Sequence, residues 1–193
     1  MHLMFFVKNM KIHLIGLERI DMNLIISGSL NKNSKSRELA FLAENFFKKK
    51  FALTEFIDLV DYEIPLCDGD ECYNDKVVKK LKDKILKADS ILICGPVYNY
   101  DLNAVLRNLI EVTSTAWTGK LLGFICAAGG KNSYMAPIAL INNLMLHNRC
   151  LIIPRFVYAS SSDFNGKDII NNDILDRIEQ LVEEAIKLNG VYD

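Results

Sequence analysis

The sequence predicts a single α/β domain built on one parallel sheet of five strands, order 2-1-3-4-5, with helices on both faces. Three observations carry this. Short apolar runs recur along the chain, each followed by a stretch of helical periodicity. The runs are read as continuously apolar rather than alternating, most plainly in LIIS, ILIC, LLGFICAA and LIIP, which marks strands buried on both faces. The chain has 193 residues, 50% hydrophobic and 24% charged, which suits one sizeable core. Right-handed crossovers leave few orders open to five such strands.

The elements follow in sequence. NLIIS (Asn23 to Ser27) is the first strand, and the polar loop GSLNKNSKS leads from it into a helix over about 37–50, with Leu39, Leu42, Phe46 and Phe47 near one face. LTEFIDL (Leu53 to Leu59) is the second strand. DKVVKKLKDKILKA (Asp75 to Ala88) is an amphipathic helix that turns Val77, Val78, Leu81, Ile85 and Leu86 inward. SILIC (Ser90 to Cys94) is the third strand, and a helix begins near Asn103. KLLGFICAA (Lys120 to Ala128) is the fourth, ending in the glycines of GGKNS. A helix over about 134–147 follows, with Pro137 in its first turn, where a missing N–H costs little. CLIIP (Cys150 to Pro154) is the fifth strand, and the last helix spans about 172–188.

No repeat, linker or low-complexity segment divides residues 22–193. Residues 1–21 stand outside the scheme as an N-terminal extension. Two readings of them stay open: an extra strand or oligomer arm, or a natural start at Met22. The formal net charge of −1 calls for neither nucleic acid nor an anionic membrane as partner. No run approaches the ~18 apolar residues of a membrane span. Five cysteines without regular spacing argue against a disulfide framework and for a reducing compartment. Lys8 and Lys11 break the N-terminal apolar run, unlike a secretory signal, so a cytoplasmic location is expected.

In a sheet of this order, ligands bind beyond the carboxyl ends of the strands, where strands one and three diverge. Three loops meet there. The first offers Gly28, Ser29, Asn31, Ser34 and Ser36. Small hydroxyls and free amides at a helix N-terminus favour an anion such as a phosphate. One helix cap needs only one such residue. Neither G-x-G-x-x-G nor G-x-x-x-x-G-K-[ST] occurs, so a mononucleotide phosphate is expected and not a dinucleotide pyrophosphate. The second loop, Pro96, Val97, Tyr98, Asn99 and Tyr100, combines aromatic surface with amide chemistry, as a flat heteroaromatic ring with polar edges requires. The third, Ala128, Gly129 and Gly130, lets backbone approach a ligand closely.

These motifs resemble the NADPH-dependent FMN reductase family, flavodoxin-like flavoproteins that include quinone, azo-dye and chromate reductases. The family's opening Gly-Ser-x-Arg-x-x-Ser-x-Asn-Arg is met by Gly28, Ser29, Ser34 and Arg37. Its central Pro-x-Tyr-Asn-x-Ser-x-Pro-Gly-x-Leu-Lys-Asn is met by Pro96, Tyr98, Asn99, Leu106 and Asn108, with Arg107 in place of Lys. The resemblance runs from Met22 to about Tyr158. It implies a flavodoxin-like fold holding FMN, with Ser29, Asn31, Ser34 and Ser36 on the phosphate. Pro96 to Tyr100 would line the ribityl chain and a ring edge, and the amides of Ala128, Gly129 and Gly130 would meet the pyrimidine edge. It further implies NADPH or NADH as co-substrate, a quinone, azo compound, free flavin or similar small molecule as acceptor, and a homodimer or homotetramer.

Two departures stand out. Asn31 replaces the family's loop Arg, which leaves Lys32 or Lys35 to compensate, and Asp101 adds a carboxylate where the family has Ser. That carboxylate would lower the flavin potential or bond a substrate. No catalytic side chain and no metal is expected, since the hydride chemistry belongs to the flavin. A non-enzymatic electron carrier or a flavin-binding regulatory protein is the alternative.

Other features read as structural. PLCDGDECY, with Cys67 and Cys72, lacks zinc spacing and reads as a solvated acidic loop with one buried thiol. His147 reads as a helix-end cation. Trp117 reads either as a flavin flank or as cover for the sheet. The Met-rich helix before His147 reads as core or dimer interface.

Overall fold

The computed structural model describes residues 21–189. The expectations for residues 1–20 therefore lie outside the described residues. The chain runs β1 (Asn23–Ser27), α1 (Lys35–Lys49), β2 (Thr54–Asp58), α2 (Lys76–Lys87), β3 (Ser90–Tyr98), β4 (Asp101–Leu102), α3 (Ala104–Thr113) and β5 (Leu121–Ala127). It continues through α4 (Ile138–Asn148), β6 (Leu151–Ile152), β7 (Val157–Ala159), β8 (Phe164–Asn165), β9 (Asp168–Ile169) and α5 (Asn172–Asn189).

The main sheet has the order β2-β1-β3-β5-β6, all parallel. With the short β4 set aside, this is the anticipated 2-1-3-4-5. Strict alternation divides the strand side chains between two cores. Leu24, Ile26, Ile91, Ile93, Leu122 and Phe124 face α2, α3 and α4, whereas Ile25, Leu92, Cys94 and Ile125 face α1 and α5. Both faces of the central strands are thus dry, which is why β1, β3 and β5 read as continuous apolar runs, whereas the edge strands β2 and β6 are only partly buried, contrary to expectation.

Several expectations are corrected. β3 runs through Tyr98 instead of ending at Cys94, because Gly95 and Pro96 stay in register with Cys126 and Ala127 of β5. β1 pairs with β3 only as far as Cys94, so no partner on that side needs the N–H that Pro96 lacks. The fifth strand is split into β6 and β7, both beside β5, by a tight turn in which Arg155 N–H donates to the Ile153 carbonyl at 2.7 Å. α4 starts at Ile138, so Pro137 precedes the helix; a proline disfavours helical backbone in the residue before it. Leu86, expected inward, is 49% exposed, because the buried arc of α2 is Val78, Leu81 and Ile85. Trp117 is fully buried in the core, its indole N–H donating to Thr113 Oγ1 at 2.8 Å, and flanks no cleft.

α3 locks the strand ends. Leu106 packs between Gly28 and Gly95, and a Cβ at Gly28 would lie 2.7 Å from both of its methyl groups. Asn108 fastens the long loop after β2. Its Oδ1 accepts from Cys67 N–H at 2.9 Å and its Nδ2 donates to the Pro65 carbonyl at 2.9 Å. Within that loop Asp68 Oδ1 accepts from the amides of Asp70 (2.9 Å) and Cys72 (3.1 Å). The Asp70 amide first, and then the Cys72 thiol and amide, hold the Asp68 carboxyl down at about 2. Cys72 is buried and Cys67 half-buried, while the acidic side chains stay in water.

Two outcomes follow from this packing. Gly28→Ala is expected to destabilise the protein by about 1–3 kcal/mol through overpacking against Leu106. The cost should shrink in a Leu106→Ala background, and a double-mutant cycle on urea midpoints measures it. The Asp68 carboxyl has a folded value below its ordinary 3.8, so its contribution is complete above that pH and is lost as pH falls through about 2. The Asp70 and Cys72 amide resonances should titrate in that window, and a midpoint near 4 would contradict the hydrogen bonding.

Candidate functional site

The first loop leaves β1 with Gly28 N–H bonded to the Cys94 carbonyl at 2.7 Å. Local side-chain bonds then shape it. Asn31 N–H donates to Ser29 Oγ at 3.3 Å, and Asn33 N–H to Asn31 Oδ1 at 2.9 Å. Ser34 caps α1, its Oγ accepting from Arg37 N–H at 3.3 Å and sharing a 2.9 Å hydrogen bond with Ser36 Oγ. When Ser36 supplies the proton of that pair, the Ser34 O–H is left to donate elsewhere. The amides of Lys35 and Ser36, in the first turn, have no intrahelical partner.

Arg37 holds this loop in place from below. Its guanidinium donates to the carbonyls of Asn31 (Nη1, 2.6 Å) and Ser29 (Nη2, 2.7 Å). The same group pairs with Asp58 at the end of β2, through Nε to Oδ2 and through Nη2 to Oδ1 at 3.2 Å. Both side chains are nearly buried. In the sequence Arg37 is only a motif match, because its partner Asp58 lies on another strand.

The second loop is a hairpin. Val97 pairs with Leu102 and Tyr98 with Asp101, so Asn99 and Tyr100 form the two-residue turn. Both have positive φ, 49° and 65°. This is the left-handed pair that hairpins favour, easy for Asn but costing about 1 kcal/mol for Tyr. Tyr98 and Tyr100 are 55% and 63% exposed. Asn103 ties the hairpin to the first loop by donating from Nδ2 to the Gly28 carbonyl at 2.6 Å. Asp101 is not a loose carboxylate. Arg107 Nη2 meets its Oδ2 at 2.7 Å, and its Oδ1 accepts from Leu102 N–H. The expected extra negative charge is therefore matched where it stands.

The third loop is held by the far strand. Ala128 N–H donates to the Ala159 carbonyl at 2.8 Å, and Tyr158 O–H to the Gly130 carbonyl at 2.6 Å. Of the three amides anticipated for a ligand, Ala128's is thus already committed. A Cβ placed on Gly129 or Gly130 would meet nothing within 4 Å, so the space in front of them is open.

The three loops enclose a cleft of about 240 Å³ beyond the carboxyl ends of the central strands. Of the residues anticipated, Ser29, Asn31, Ser34, Ser36, Pro96, Tyr98, Ala128 and Gly129 line it. Val97 packs into the opposite core, Asn99 and Tyr100 sit at the hairpin tip, and Gly130 lies just beyond. Asn33, Ala127 and Ser161 line it without having been singled out. Ser161 follows β7 in the run Ser160-Ser161-Ser162, a hydroxyl-rich strand end much like the first loop. Asp163 holds that turn. Burial works against its charge, but hydrogen bonds from Asn171 and Ser160 hold it below the usual carboxylate range.

The thiols near the sheet centre are poor nucleophiles. Burial pushes Cys126 up to about 12 and drives Cys94 higher still. His147 is exposed in the last turn of α4. Among the described residues no cluster of metal-ligating side chains forms and no helix is long and apolar enough to cross a membrane. What the cleft offers is hydroxyls, amides, one lysine, Lys35, a proline and tyrosine wall, and open space before glycines. Such a set suits a phosphorylated, flat ligand.

Comparison with known proteins agrees. The model of the NADPH-dependent FMN reductase family matches residues 23–165. An NAD(P)H-dependent FAD/FMN reductase of Geobacillus thermodenitrificans is 26% identical over 70% of this chain and 75% of its own length. An NADPH azoreductase of Bacillus sp. is 30% identical over 55% of this chain, which spans 58% of that relative. Among solved structures, the apo form of an NADH:FMN oxidoreductase superposes with a TM-score of 0.73 at 17% identity, covering 86% of this chain and 88% of that one. At that identity the likeness bears on the fold alone, while the family match spans most of the chain. The chain belongs to the NADPH-dependent FMN reductase family.

Proposed function

We propose that the cleft binds FMN and that the protein is an NAD(P)H-dependent reductase of small-molecule acceptors such as quinones, azo compounds or free flavins. One observation carries the reading: three strand-end loops converge on a cleft whose first wall is lined with hydroxyls at the start of a helix and whose opposite wall is open before Gly129. Ser29, Asn31, Ser34 and Ser36 would hold the phosphate. Pro96 and Tyr98 would flank the polyol and one ring edge, with Asn99 and Tyr100 at the mouth, and the Gly129 and Gly130 amides would face the ring's polar edge. Bound there, FMN supplies two-electron exchange between nicotinamide and the acceptor.

The chain's own residues bind, orient and shield. Pro96 stiffens the wall. The Asn103 bond to Gly28 fixes the spacing of the first two loops, and Tyr158 fixes the third. The Arg107 pairing keeps Asp101 from placing an unmatched charge at the mouth.

The reading extends to a cytoplasmic homodimer or homotetramer. Its supports are five free thiols and a face of α4 that leaves Leu146 73% exposed beside Met145. Light scattering on the purified protein tests the assembly, and a monomer at micromolar concentration would reject it.

The activity is tested on the purified protein by its visible spectrum, before and after NADPH or NADH, with and without menadione. A flavin spectrum bleached by nicotinamide and restored by the quinone is expected. A bound flavin that nicotinamide does not bleach would instead indicate a carrier. Ser29→Ala with Ser34→Ala should weaken FMN retention by about tenfold or more, and loss of the Ser34 cap should lower stability by about 0.5–2 kcal/mol, so retention is compared below the variant's own unfolding midpoint. Unchanged retention would remove the first loop from the site.

A further inference from the structure

The cations around the cleft have different fates. Arg37 is spent inside the fold on Asp58 and two carbonyls, and Arg107 is paired with Asp101. Lys32 is exposed and does not line the cleft. Lys35 does line it. Lys35 is half-buried, and its ammonium lies over the Phe164 ring, 4.9 Å from the centroid. Among the described residues, no carboxylate stands within salt-bridge distance of it.

That placement is unfavourable for the protein alone. Lys35 is the first residue of α1, where the positive end of the macrodipole repels a cation. An aromatic face eases a partly desolvated ammonium less well than a counter-ion does. An anion seated on the Ser34 and Ser36 hydroxyls would satisfy helix and lysine together.

We propose that Lys35 is the charge partner of the ligand's phosphate and the residue by which the cleft tells a phosphorylated flavin from an unphosphorylated one. This rests on the FMN reading above. The neutral donors of the first loop shape the site, and Lys35 supplies the positive charge that neither they nor the paired Arg37 can give. Its four-carbon stem is flexible enough to exchange the Phe164 ring for the phosphate.

The test titrates flavin-free protein with FMN and, separately, with riboflavin, read by flavin fluorescence. The wild type is expected to bind FMN more tightly. Lys35→Gln should lower FMN affinity about tenfold or more and leave riboflavin affinity unchanged, while Lys35→Arg keeps most of the preference. Added NaCl should weaken FMN binding more steeply in the wild type than in Lys35→Gln. Equal losses for both flavins would make Lys35 a packing residue and overturn the proposal, as would no loss for either. A wild type that binds riboflavin as well as FMN overturns it too. A wild type that binds neither flavin overturns the FMN reading itself, a result distinct from the others.

Discussion

The site depends on one buried ion pair, Arg37 with Asp58. A loop between a central strand and a helix carries carbonyl groups that neither the sheet nor the helix pairs. Arg37 takes those of Ser29 and Asn31 while its charge is balanced from β2. With these carbonyls engaged from beneath, the loop is left to present hydroxyls and helix-end amides to the cleft. The pair is a poor source of net stability, because two charges are desolvated to form it. Removing one partner alone would cost about 3–5 kcal/mol, since the other charge stays buried. Its value is geometric: β2, which contributes nothing to the cleft directly, fixes the shape of the loop that does.

α3 plays the complementary part for the other walls. Leu106 enters the space left by Gly28 and Gly95, so the helix can approach the ends of β1 and β3 only because both lack a Cβ. Asn103 stands at the N-cap of α3, but its Oδ1 makes no capping bond; what the side chain contributes is the Nδ2 bond to the Gly28 carbonyl. Asn108 secures the long loop after β2. Three residues on or beside one helix thus join segments far apart in sequence. The motif that spans them is a packing device.

The sheet was legible in the sequence because burial on both faces leaves a local signature, an unbroken apolar run, that needs no knowledge of neighbours. The first loop was legible for a similar reason, since Ser29, Ser34 and Ser36 crowd one strand end. What stayed hidden depends on partners distant in the chain. Pro96 looked like the end of a strand, but pairing with β5 carries β3 on to Tyr98. Tyr100 gave no sign of a left-handed backbone, because its φ is set by the hairpin and not by its own preference. Ser161 reaches the cleft only because β7 lies beside β5. Asp101 looked like an added charge, and only the start of α3 shows that Arg107 answers it.

These pairings decide the electrostatics of the cleft. Arg37 is cancelled by Asp58 and Asp101 by Arg107, so neither ion pair leaves a net charge at the walls. What remains is the partial positive charge of unpaired amides at the start of α1 and the ammonium of Lys35. Both favour an anion at one end of the cleft. The opposite end, before Gly129, offers only amides, carbonyls and space. A ligand would therefore be oriented by its own polarity, its anionic group drawn to α1 and its flat part left toward Tyr98 and Gly129. Lys35 and Arg37 are two residues apart on one helix but have opposite tasks, because one faces the cleft and the other faces Asp58.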